Sequence, residues 1–320
     1  MKFRFNIILI ISIIFGSCIK ELEIENSGYN KKIVVWAIIN IDSNISIDVS
    51  GNRGVKPEDT LSTEIADVFL YENNILVKKL INETISGSLK TIDFKVKAAN
   101  GNNYRIEISN AQLNIFSQIK TSEPLPKPDI TLTKGENAQL KFTIADNATY
   151  SEAYRFDLKT YYIGTLYDSL QRKILDSNYV FSRKFDKFDE PSLNYNVITS
   201  YQNQLQNYTF PVKDVLFNGK NKTFLFYLSN PVSNNIYVSS GKTLNGQEIR
   251  NILICKKRFV LIKCLKISDE YYQFLITESK NNAIFGTSYY NPVNLYSNII
   301  GGLGLMASQC ERSDTVWVLK

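Results

Sequence analysis

The sequence predicts a mainly all-β protein, with a β-sandwich domain at residues 31–121 and a larger β-rich domain with one packed helix at residues 131–320. Beyond about the first thirty residues, short runs of Ile, Val, Tyr, Phe and Thr alternate with Asn, Gly, Asp and Ser, a pattern typical of strands joined by turns. Few segments show helical periodicity. Residues 122–130 contain three of the chain's eight prolines. Because proline cannot donate a hydrogen bond to a sheet, this stretch predicts a linker between two domains.

The first eighteen residues are typical of a bacterial lipoprotein signal. A short basic start precedes a nine-residue stretch, Ile7 to Phe15, that is apolar except for Ser12, and Gly16-Ser17-Cys18 follows. Nine residues are too few for a membrane-spanning helix, which takes about 20, but they fit the hydrophobic region of a secretion signal. We therefore predict a signal peptide at residues 1–17 and lipidation of Cys18. An ordinary signal peptide with a coincidental cysteine is the alternative.

Residues 18–30 are predicted to form an acidic tether. Glu21, Glu23 and Glu25 follow the lipidated cysteine at every second position. This spacing resembles the acidic export signal that sends Bacteroidota lipoproteins to the cell surface, and a solvated charged tether is the alternative. The expected location is the outer membrane, with the protein lipid-anchored and facing the cell surface.

The strands predicted before the prolines have clear alternation and turn signals. Ile45, Ile47 and Val49 alternate with polar residues and are predicted to point inward. A hairpin is predicted to turn at Glu72-Asn73-Asn74, because asparagine tolerates the left-handed conformation of a tight turn. The predicted strands are Lys32 to Asn40 (buried on both faces), Asn44 to Ser50, the two arms within Ala66 to Leu80, Leu89 to Lys97 and Tyr104 to Ser109.

The part after the prolines holds more strands and one convincing helix. Ser268 is a suitable N-cap, Asp269 and Glu270 place acids in the first turn, and apolar residues follow at helical spacing. This helix is predicted to lie across a sheet. The predicted strands are Gln139 to Ala145, Ala153 to Ile163, Tyr179 to Ser182, Thr223 to Ser229, Arg250 to Ile254 and Phe259 to Ile267.

The composition excludes several kinds of chemistry. The chain has no histidine, so a Ser-His-Asp triad, a Cys-His pair and any histidine-containing zinc site are excluded. The net charge of +6 is mild for 320 residues, and no block of Lys and Arg indicates nucleic-acid binding. We expect no enzymatic activity, no cofactor, no metal and no nucleic-acid partner.

Three cysteines remain besides Cys18. A turn centred on Phe259-Val260 would bring Cys255 and Cys264 face to face, but this pair is poor turn chemistry. A turn at Lys256-Lys257 would leave the two cysteines far apart. We predict that Cys255, Cys264 and Cys310 are buried and unpaired.

Two further stretches are candidates for function. The region from Tyr154 to Phe188 is rich in aromatic residues, which suit sugar, peptide or protein contact surfaces, although ordinary strand packing is the alternative. Three carboxylates lie at the end of this region and are also candidates for ligand binding. The alternative is that they belong to a solvated loop. The candidate ligand-binding residues are Tyr161, Tyr162, Tyr167, Asp186, Asp189 and Glu190. Glycines at Gly301-Gly302-Leu303-Gly304 predict a bend or bulge where two backbones approach.

Several stretches together resemble domain of unknown function 4249, an uncharacterised family of Bacteroidota outer-membrane lipoproteins. The chain departs from the family at Leu305-Met306-Ala307, where an aromatic residue and another glycine are usual. The half before the prolines is also similar to carboxypeptidase regulatory and transthyretin-like sandwich domains, which implies an Ig-like or transthyretin-like β-sandwich. The stretches that carry the family resemblance are Gly16-Ser17-Cys18, Lys32 to Asn40, Ala153-Tyr154-Arg155-Phe156, Lys213-Asp214-Val215-Leu216-Phe217-Asn218-Gly219, Ile267-Ser268-Asp269-Glu270-Tyr271-Tyr272, Asn291-Pro292-Val293, Ser297-Asn298-Ile299 and Gly301-Gly302-Leu303-Gly304.

The resemblance implies association with a TonB-dependent outer-membrane transporter and supplies no catalytic residues. The expected function is therefore a ligand-binding or accessory component of a TonB-dependent transport system, with an outer-membrane TonB-dependent receptor as partner and the membrane reached through the lipid anchor. A structural or adhesive cell-surface protein is the alternative. A hydrolase that uses two carboxylates about 5 to 9.5 Å apart is a third hypothesis.

Overall fold

The computed structural model describes residues 32–52, 63–121, 128–133, 139–145, 152–168, 173–184, 187–188, 209–213, 219–227, 235–242, 248–284 and 294–319. Within these ranges the chain forms seventeen strands and one helix, so the predicted mainly all-β class is confirmed. The predicted signal peptide, Cys18 and the acidic tether lie outside the described residues, as does most of the proline-rich stretch.

The predicted strands and the helix are present in order and several strands are longer than expected, but other strands, including the one at residues 303–319, were not predicted. The elements are β1 (Ile33–Asn40), β2 (Asn44–Gly51), β3 (Glu64–Glu72), β4 (Ile75–Ile85), β5 (Lys90–Lys97), β6 (Asn103–Ser109), β7 (Asn114–Lys120), β8 (Asp129–Thr133), β9 (Gln139–Ile144), β10 (Ala153–Asp168), β11 (Lys173–Lys184), β12 (Lys187–Phe188), β13 (Thr209–Lys213), β14 (Lys222–Tyr227), β15 (Asn235–Lys242), β16 (Glu248–Ile267), α1 (Asp269–Ile284) and β17 (Leu303–Leu319).

These strands form one large sheet and two small ones. The large sheet, called the central sheet below, has the order β11-β10-β16-β17-β1-β2-β5, with β13 also paired to β10 and β15 also paired to β16. The first small sheet has the order β4-β3-β6-β7, and the second has the order β12-β14-β9-β8. β1 and β17 run parallel, and the other strand pairs of the central sheet are antiparallel.

The central sheet joins chain segments from both sides of the proline-rich stretch. β1 pairs with β17 in continuous register from Val34 opposite Leu303 to Asn40 opposite Gln309. The two-domain division at the prolines stays a prediction. A single hydrogen-bonded sheet nevertheless crosses that boundary, so the two halves share backbone structure.

Two hydrophobic clusters lie on one face of the central sheet. The first combines residues of β1, β2 and β5 with residues of the first small sheet, and it includes the predicted inward residues Ile45, Ile47 and Val49. The second combines β10, β13 and β16 with β9 and β14 of the second small sheet. Met306 of β17 belongs to the first cluster and Val316 packs against the second. Met306 and Val316 are an even number of positions apart in β17, so their side chains point to the same face of the sheet. Both clusters therefore lie on that face.

The helix α1 packs on the opposite face of the central sheet. Its residues Tyr271 and Leu275 are buried against Leu265, Leu305 and other residues of β10, β16 and β17. The Oγ of Ser268 accepts a hydrogen bond from the backbone N–H of Tyr271 at 3.4 Å, which confirms the predicted N-cap. The predicted placement of the helix across a sheet is also confirmed.

Two local predictions about turns had different outcomes. The hairpin at Asn73 and Asn74 forms as predicted, with φ values of 48° and 67°. Neither of the turns considered between Cys255 and Cys264 forms, because β16 is a single strand through this region. The long partner β10 pairs along nearly all of β16, and one register shift absorbs the extra residue near Lys256.

The cysteines are unpaired, as predicted. Cys255 and Cys264 are buried and free, whereas Cys310 is free but only partly buried. Burial raises the pKa of the Cys264 thiol well above its ordinary value, with a smaller contribution from Cys310. The pairing prediction is confirmed, and the predicted full burial holds for two of the three cysteines.

The predicted close backbone approach at the glycine motif is confirmed. A Cβ on Gly301 would lie 2.3 Å from the carbonyl oxygen of Asn114, and a Cβ on Gly304 would lie 1.9 Å from that of Val35. Both glycines have positive φ, 78° and 114°. The motif therefore turns the chain into β17 while it passes directly against neighbouring backbone.

Candidate ligand-binding face

The candidate site lies on the face of the central sheet that carries α1. The helix covers one end of this face, around Ala153 and Ile267. Farther along β10, side chains of Arg155, Asp157 and later odd-numbered residues point to the same side, because alternate residues of a strand share a face. The surface that β10, β16 and β17 present beyond the helix is called the open face below.

Three aromatic side chains form a row across the open face. Tyr161 pairs with Phe259, and Phe259 pairs with Trp317, on three adjacent strands. The rings of Tyr161 and Phe259 are stacked with centroids 4.9 Å apart, and those of Phe259 and Trp317 are tilted at 5.1 Å. Trp317 is 39% exposed. We call these three residues the aromatic row.

Lysines lie on both sides of the aromatic row. Lys159 precedes Tyr161 by two positions, and its Nζ is 5.2 Å from the centre of the Tyr161 ring, within the range of a cation–π contact. Lys257 precedes Phe259 by two positions, is exposed, and pairs with Ile163 on β10. Since β10 and β16 are antiparallel, the two lysines lie on opposite sides of the stacked pair of rings.

Among the described side chains of the open face, the acids Asp157 and Glu311 are each paired with a base. The carboxylate of Asp157 contacts the guanidinium of Arg155 at 3.1 Å, and that of Glu311 contacts Nζ of Lys263 at 2.8 Å. In the part of the chain that the structure describes, neither Lys159 nor Lys257 forms a salt bridge. The charge next to the aromatic row is therefore positive and not neutralised by these pairs.

A polar cluster holds α1 at the end of the open face. Arg155 donates a hydrogen bond to the hydroxyl of Tyr271. Lys213 contacts the carboxylate of Asp269 at 2.5 Å. Burial raises the pKa of the Glu278 carboxyl above its ordinary value of 4.5, and the nearby Arg155 charge opposes that rise.

Burial also raises the pKa of the Tyr271 hydroxyl, so it stays protonated at neutral pH. These contacts fix the helix and thereby the border of the open face.

The structure separates the tyrosines that the sequence grouped together. Tyr161 lies in the aromatic row. Tyr162 points to the other face, is 5% exposed, and has the Arg258 guanidinium 4.9 Å from its ring centre. Tyr167 is on the same side as Tyr161 but six residues farther along β10, about 20 Å away at the rise of a strand. Asp186, Asp189 and Glu190 lie outside the described residues, so their predicted role stays a prediction.

Sequence reasoning missed Phe259 and Trp317. Phe259 lies in a predicted strand, whereas no strand was predicted at Trp317, and the two residues are about 100 and 160 positions from Tyr161 in the chain. Only the pairing of β10, β16 and β17 brings the three rings together. In the described ranges no group of three or more Cys, Asp or Glu could hold a metal ion, and no described helix is long and apolar enough to cross a membrane.

A comparison with protein-family models assigns the chain to an uncharacterised group. The model for domain of unknown function DUF4249 matches residues 19–315, nearly the whole chain. The chain belongs to the DUF4249 family. No curated protein matches it.

Several stretches that carry the resemblance to DUF4249 meet around α1. Besides the Arg155–Tyr271 and Lys213–Asp269 contacts, the rings of Trp36 and Phe274 pack edge to face at 4.7 Å. The backbone N–H of Tyr296 donates to the Oγ1 of Thr277 at 3.0 Å. The segments that carry the resemblance to DUF4249 therefore form the surface on which α1 packs, and the aromatic row lies next to that surface.

Proposed function

We propose that this DUF4249 protein is a non-enzymatic outer-membrane lipoprotein that binds a ligand on its open face and acts as an accessory of a TonB-dependent transporter. The observation that carries the proposal is the aromatic row of Tyr161, Phe259 and Trp317, which spans three strands and ends in an exposed tryptophan. The lipid anchor at Cys18 would hold this face close to its partner.

The aromatic row has the properties of a binding surface. Aromatic side chains offer a large contact area at a low cost in conformational entropy, and they are enriched where proteins recognise ligands and partners. Here the stacking of Tyr161 on Phe259 limits the motion of both rings before any ligand arrives. Such preorganisation lowers the entropy lost on binding.

The accessory role is supported by the predicted location and by the family. A signal peptide followed by Cys18 and acidic residues favours display on the outer surface. A chain without histidine, whose buried Glu152 is held in a salt bridge with Lys266, favours binding over catalysis. The expected partner, an outer-membrane TonB-dependent receptor, comes from the resemblance to DUF4249 lipoproteins.

Co-purification tests the partnership. The tagged lipoprotein, expressed at its native level and extracted in mild detergent, is expected to bring a large outer-membrane barrel protein with it. A Cys18→Ala variant, which cannot be lipidated, is the matched control and is expected to lose the barrel. Recovery of the wild-type lipoprotein alone would contradict the accessory role.

Substitutions in the aromatic row test the binding face. Trp317→Ala and Tyr161→Ala are expected to slow growth on the transported nutrient while the lipoprotein and its barrel still co-purify. Phe69→Ala is the matched control, since Phe69 stacks with Tyr71 at 6.4 Å on the first small sheet, away from the open face. If Trp317→Ala and Tyr161→Ala instead impair attachment of the cells to surfaces and leave nutrient uptake intact, the protein is adhesive.

A further inference from the structure

We infer that the open face docks on the membrane that holds the predicted lipid anchor, with its exposed apolar side chains among the lipid headgroups and its lysines against the phosphates of anionic lipids. This inference rests on the proposed function of the open face as a binding surface. It names the ligand of that surface as a phosphate-bearing lipid surface.

Large apolar side chains are exposed on the open face, which continues from β10 onto β11. Ile174, Val180 and Ile254 each pair with an odd-numbered residue of β10, so their side chains lie on the same side of the sheet as Tyr161. Their exposed fractions are 58%, 55% and 45%, and that of Trp317 is 39%. We call Ile174, Val180, Ile254 and Trp317 the apolar patch. Exposed patches of this kind mark surfaces that bind another molecule or a membrane.

A bulge in β16 adds two lysines next to the apolar patch. At the register shift near Lys256, β16 contains one residue more than β10. The flanking residues Cys255 and Arg258 are only 7% and 4% exposed and pack around Tyr162 on the opposite face. Lys256 and Lys257 between them are both exposed. Because a bulge places two residues of one strand opposite a single partner, both lysines lie on the open face.

The strands that carry these lysines have no acid nearby. Between Lys159 and Tyr167 of β10, and between Ile252 and Phe259 of β16, the sequence contains no Asp or Glu. The two described acid–base pairs of the open face lie nearer to α1. Lysines are attracted to the phosphates of anionic lipids, while exposed apolar and aromatic groups enter the headgroup region. The charge and the apolar patch therefore both match an anionic membrane.

The spacing of the lysines favours an extended surface over a small anion. Lys159 pairs with Leu261, which is four positions from Lys257 along β16, or about 13 Å at the rise of a strand. One small anion does not reach both ammonium groups over that distance. A membrane presents many headgroups, so each lysine meets a phosphate of its own.

The predicted anchor keeps the open face close to this ligand. Residues 19–32 separate Cys18 from the start of β1, and a fully extended chain of that length spans at most about 50 Å. A tether of this length turns docking into an intramolecular event with a high effective concentration. A docking surface of modest intrinsic affinity is therefore occupied once the anchor is inserted.

The exposed apolar residues of β4 differ in their charged neighbours. Ile75 at the start of β4 is 70% exposed. On the same sheet Lys79 pairs with Asp67 at 3.0 Å, and Glu83 pairs with Lys90 at 2.6 Å. Because acids neutralise these lysines, this surface lacks the net positive charge that attracts anionic lipids. It supplies a matched control for the apolar patch.

The two tryptophans of the chain make the test direct. Lipoprotein carrying Trp36→Phe and its lipid anchor is inserted into vesicles of phosphatidylcholine and phosphatidylglycerol with brominated acyl chains, which quench tryptophan on contact. The emission of Trp317 is expected to be quenched and shifted to the blue, and far less so in vesicles of phosphatidylcholine alone. The Trp317→Phe variant is the control, since its remaining Trp36 packs against Phe274 of α1 and should not be quenched.

Variants in the Trp36→Phe background locate the contact. Lys256→Gln and Lys257→Gln are each expected to lower the ratio of docked to undocked molecules about fivefold, and high salt should act in the same direction. Ile254→Asn should lower this ratio about tenfold, because it removes an apolar side chain from the interface. Lys120→Gln and Ile75→Asn, both on the first small sheet, should leave the quenching unchanged. Far-UV circular dichroism checks that each variant is folded.

Three results would overturn the inference. The first is no quenching of Trp317 in phosphatidylglycerol vesicles, and the second is equal quenching in phosphatidylcholine alone. The third is an equal change of Trp317 emission with soluble glycerophosphoglycerol, which would indicate a site for a small anion. Each of these with a co-purifying barrel protein would leave the accessory role standing. Conversely, charge-dependent quenching without a co-purifying barrel would support membrane docking and contradict the transporter partnership.

Discussion

Single residues decide how the chain enters β17. At Gly304 the backbone has a φ of 114°, and a Cβ there would lie 1.9 Å from the carbonyl oxygen of Val35. Just before it, the side-chain amide of Asn298 donates to the carbonyl of Met306 at 2.7 Å and accepts from its N–H at 2.8 Å. The side-chain amide of Asn298 thus makes the hydrogen bonds that a neighbouring strand would otherwise make with the backbone of Met306 in β17.

Replacement of Gly304 by alanine is expected to destabilise the protein strongly. Gly304→Ala should lower the free energy of unfolding by about 3 kcal/mol, because it adds a clash with β1 to an unfavourable backbone conformation. Gly101→Ala is the control, since Gly101 has a φ of 73° but nothing within 4 Å of an added Cβ. It should cost about 1 kcal/mol. Urea unfolding measures both, and equal losses would contradict the clash.

A buried ion pair makes a second residue-level prediction. Lys266 and Glu152 form a salt bridge while they are only 8% and 9% exposed, and the hydroxyl of Tyr154 donates to the same carboxylate at 2.5 Å. Lys266→Met should lower the free energy of unfolding by about 3 kcal/mol, because it leaves a buried carboxylate without its base.

The control for this prediction is another lysine of β16. Lys263→Met breaks the pair with Glu311, whose side chains are 39% and 35% exposed, and should cost less than about 1 kcal/mol. Both values come from chemical unfolding at neutral pH. Similar losses in the two variants would show that the burial of the Lys266 pair does not matter.

At the scale of elements, α1 is held in place by contacts with the face of the central sheet that it covers. The helix is capped by Ser268, whose Oγ also accepts a hydrogen bond from the N–H of Ser308 on β17 at 3.3 Å. Trp36 of β1 and Arg155 of β10 contact its side chains. The helix therefore ties together strands that are far apart in the chain.

The burial of Glu278 predicts a pH dependence of stability. Its pKa is raised in the folded protein, chiefly by burial, so the folded state binds the proton more tightly than the unfolded state. The corresponding contribution to stability is complete below the ordinary pKa of 4.5 and is lost as the pH rises through the folded pKa. Glu278→Gln should therefore flatten the decline of stability as the pH is raised from about 4.5 towards neutrality.

Urea unfolding at a series of pH values measures this effect. Glu107→Gln, on the first small sheet, controls for the loss of one carboxylate. Parallel stability curves for Glu278→Gln and the wild-type protein would contradict the predicted role of Glu278.

At the scale of the whole molecule, the central sheet crosses the predicted domain boundary. β1 and β17 share seven paired positions in parallel register, and Met306 of β17 is buried in the first hydrophobic cluster. Separation of the two halves would expose these strands and this cluster. The protein is therefore expected to unfold as one cooperative unit.

The two tryptophans lie on opposite sides of that boundary in the sequence. Trp36 lies on β1, whereas Trp317 lies near the end of β17. Trp36→Phe and Trp317→Phe variants, each followed by the fluorescence of the remaining tryptophan, should show coincident unfolding midpoints with urea. Two separate transitions would instead support independent domains. Far-UV circular dichroism of both variants gives the control for their overall folding.

Local patterns in the sequence predicted much of the fold. The alternation of Ile45, Ile47 and Val49, the hairpin at Asn73 and Asn74 and the cap at Ser268 all formed as expected, because each depends on residues that are neighbours in the chain. The open face was only partly predictable. Tyr161 was named, but its partners Phe259 and Trp317 come from strands whose pairing depends on long-range contacts.

The sequence by itself determined the mainly all-β class, the helix with its cap and the glycine bend, since composition and short-range periodicity encode these features. Only the tertiary structure decided which strands are neighbours. Strand pairing joins segments whose separation in the chain carries no local signal, and the alternation of β10 sends Tyr161 to the open face and Tyr162 to the opposite one. The candidate site exists because β10, β16 and β17 lie side by side.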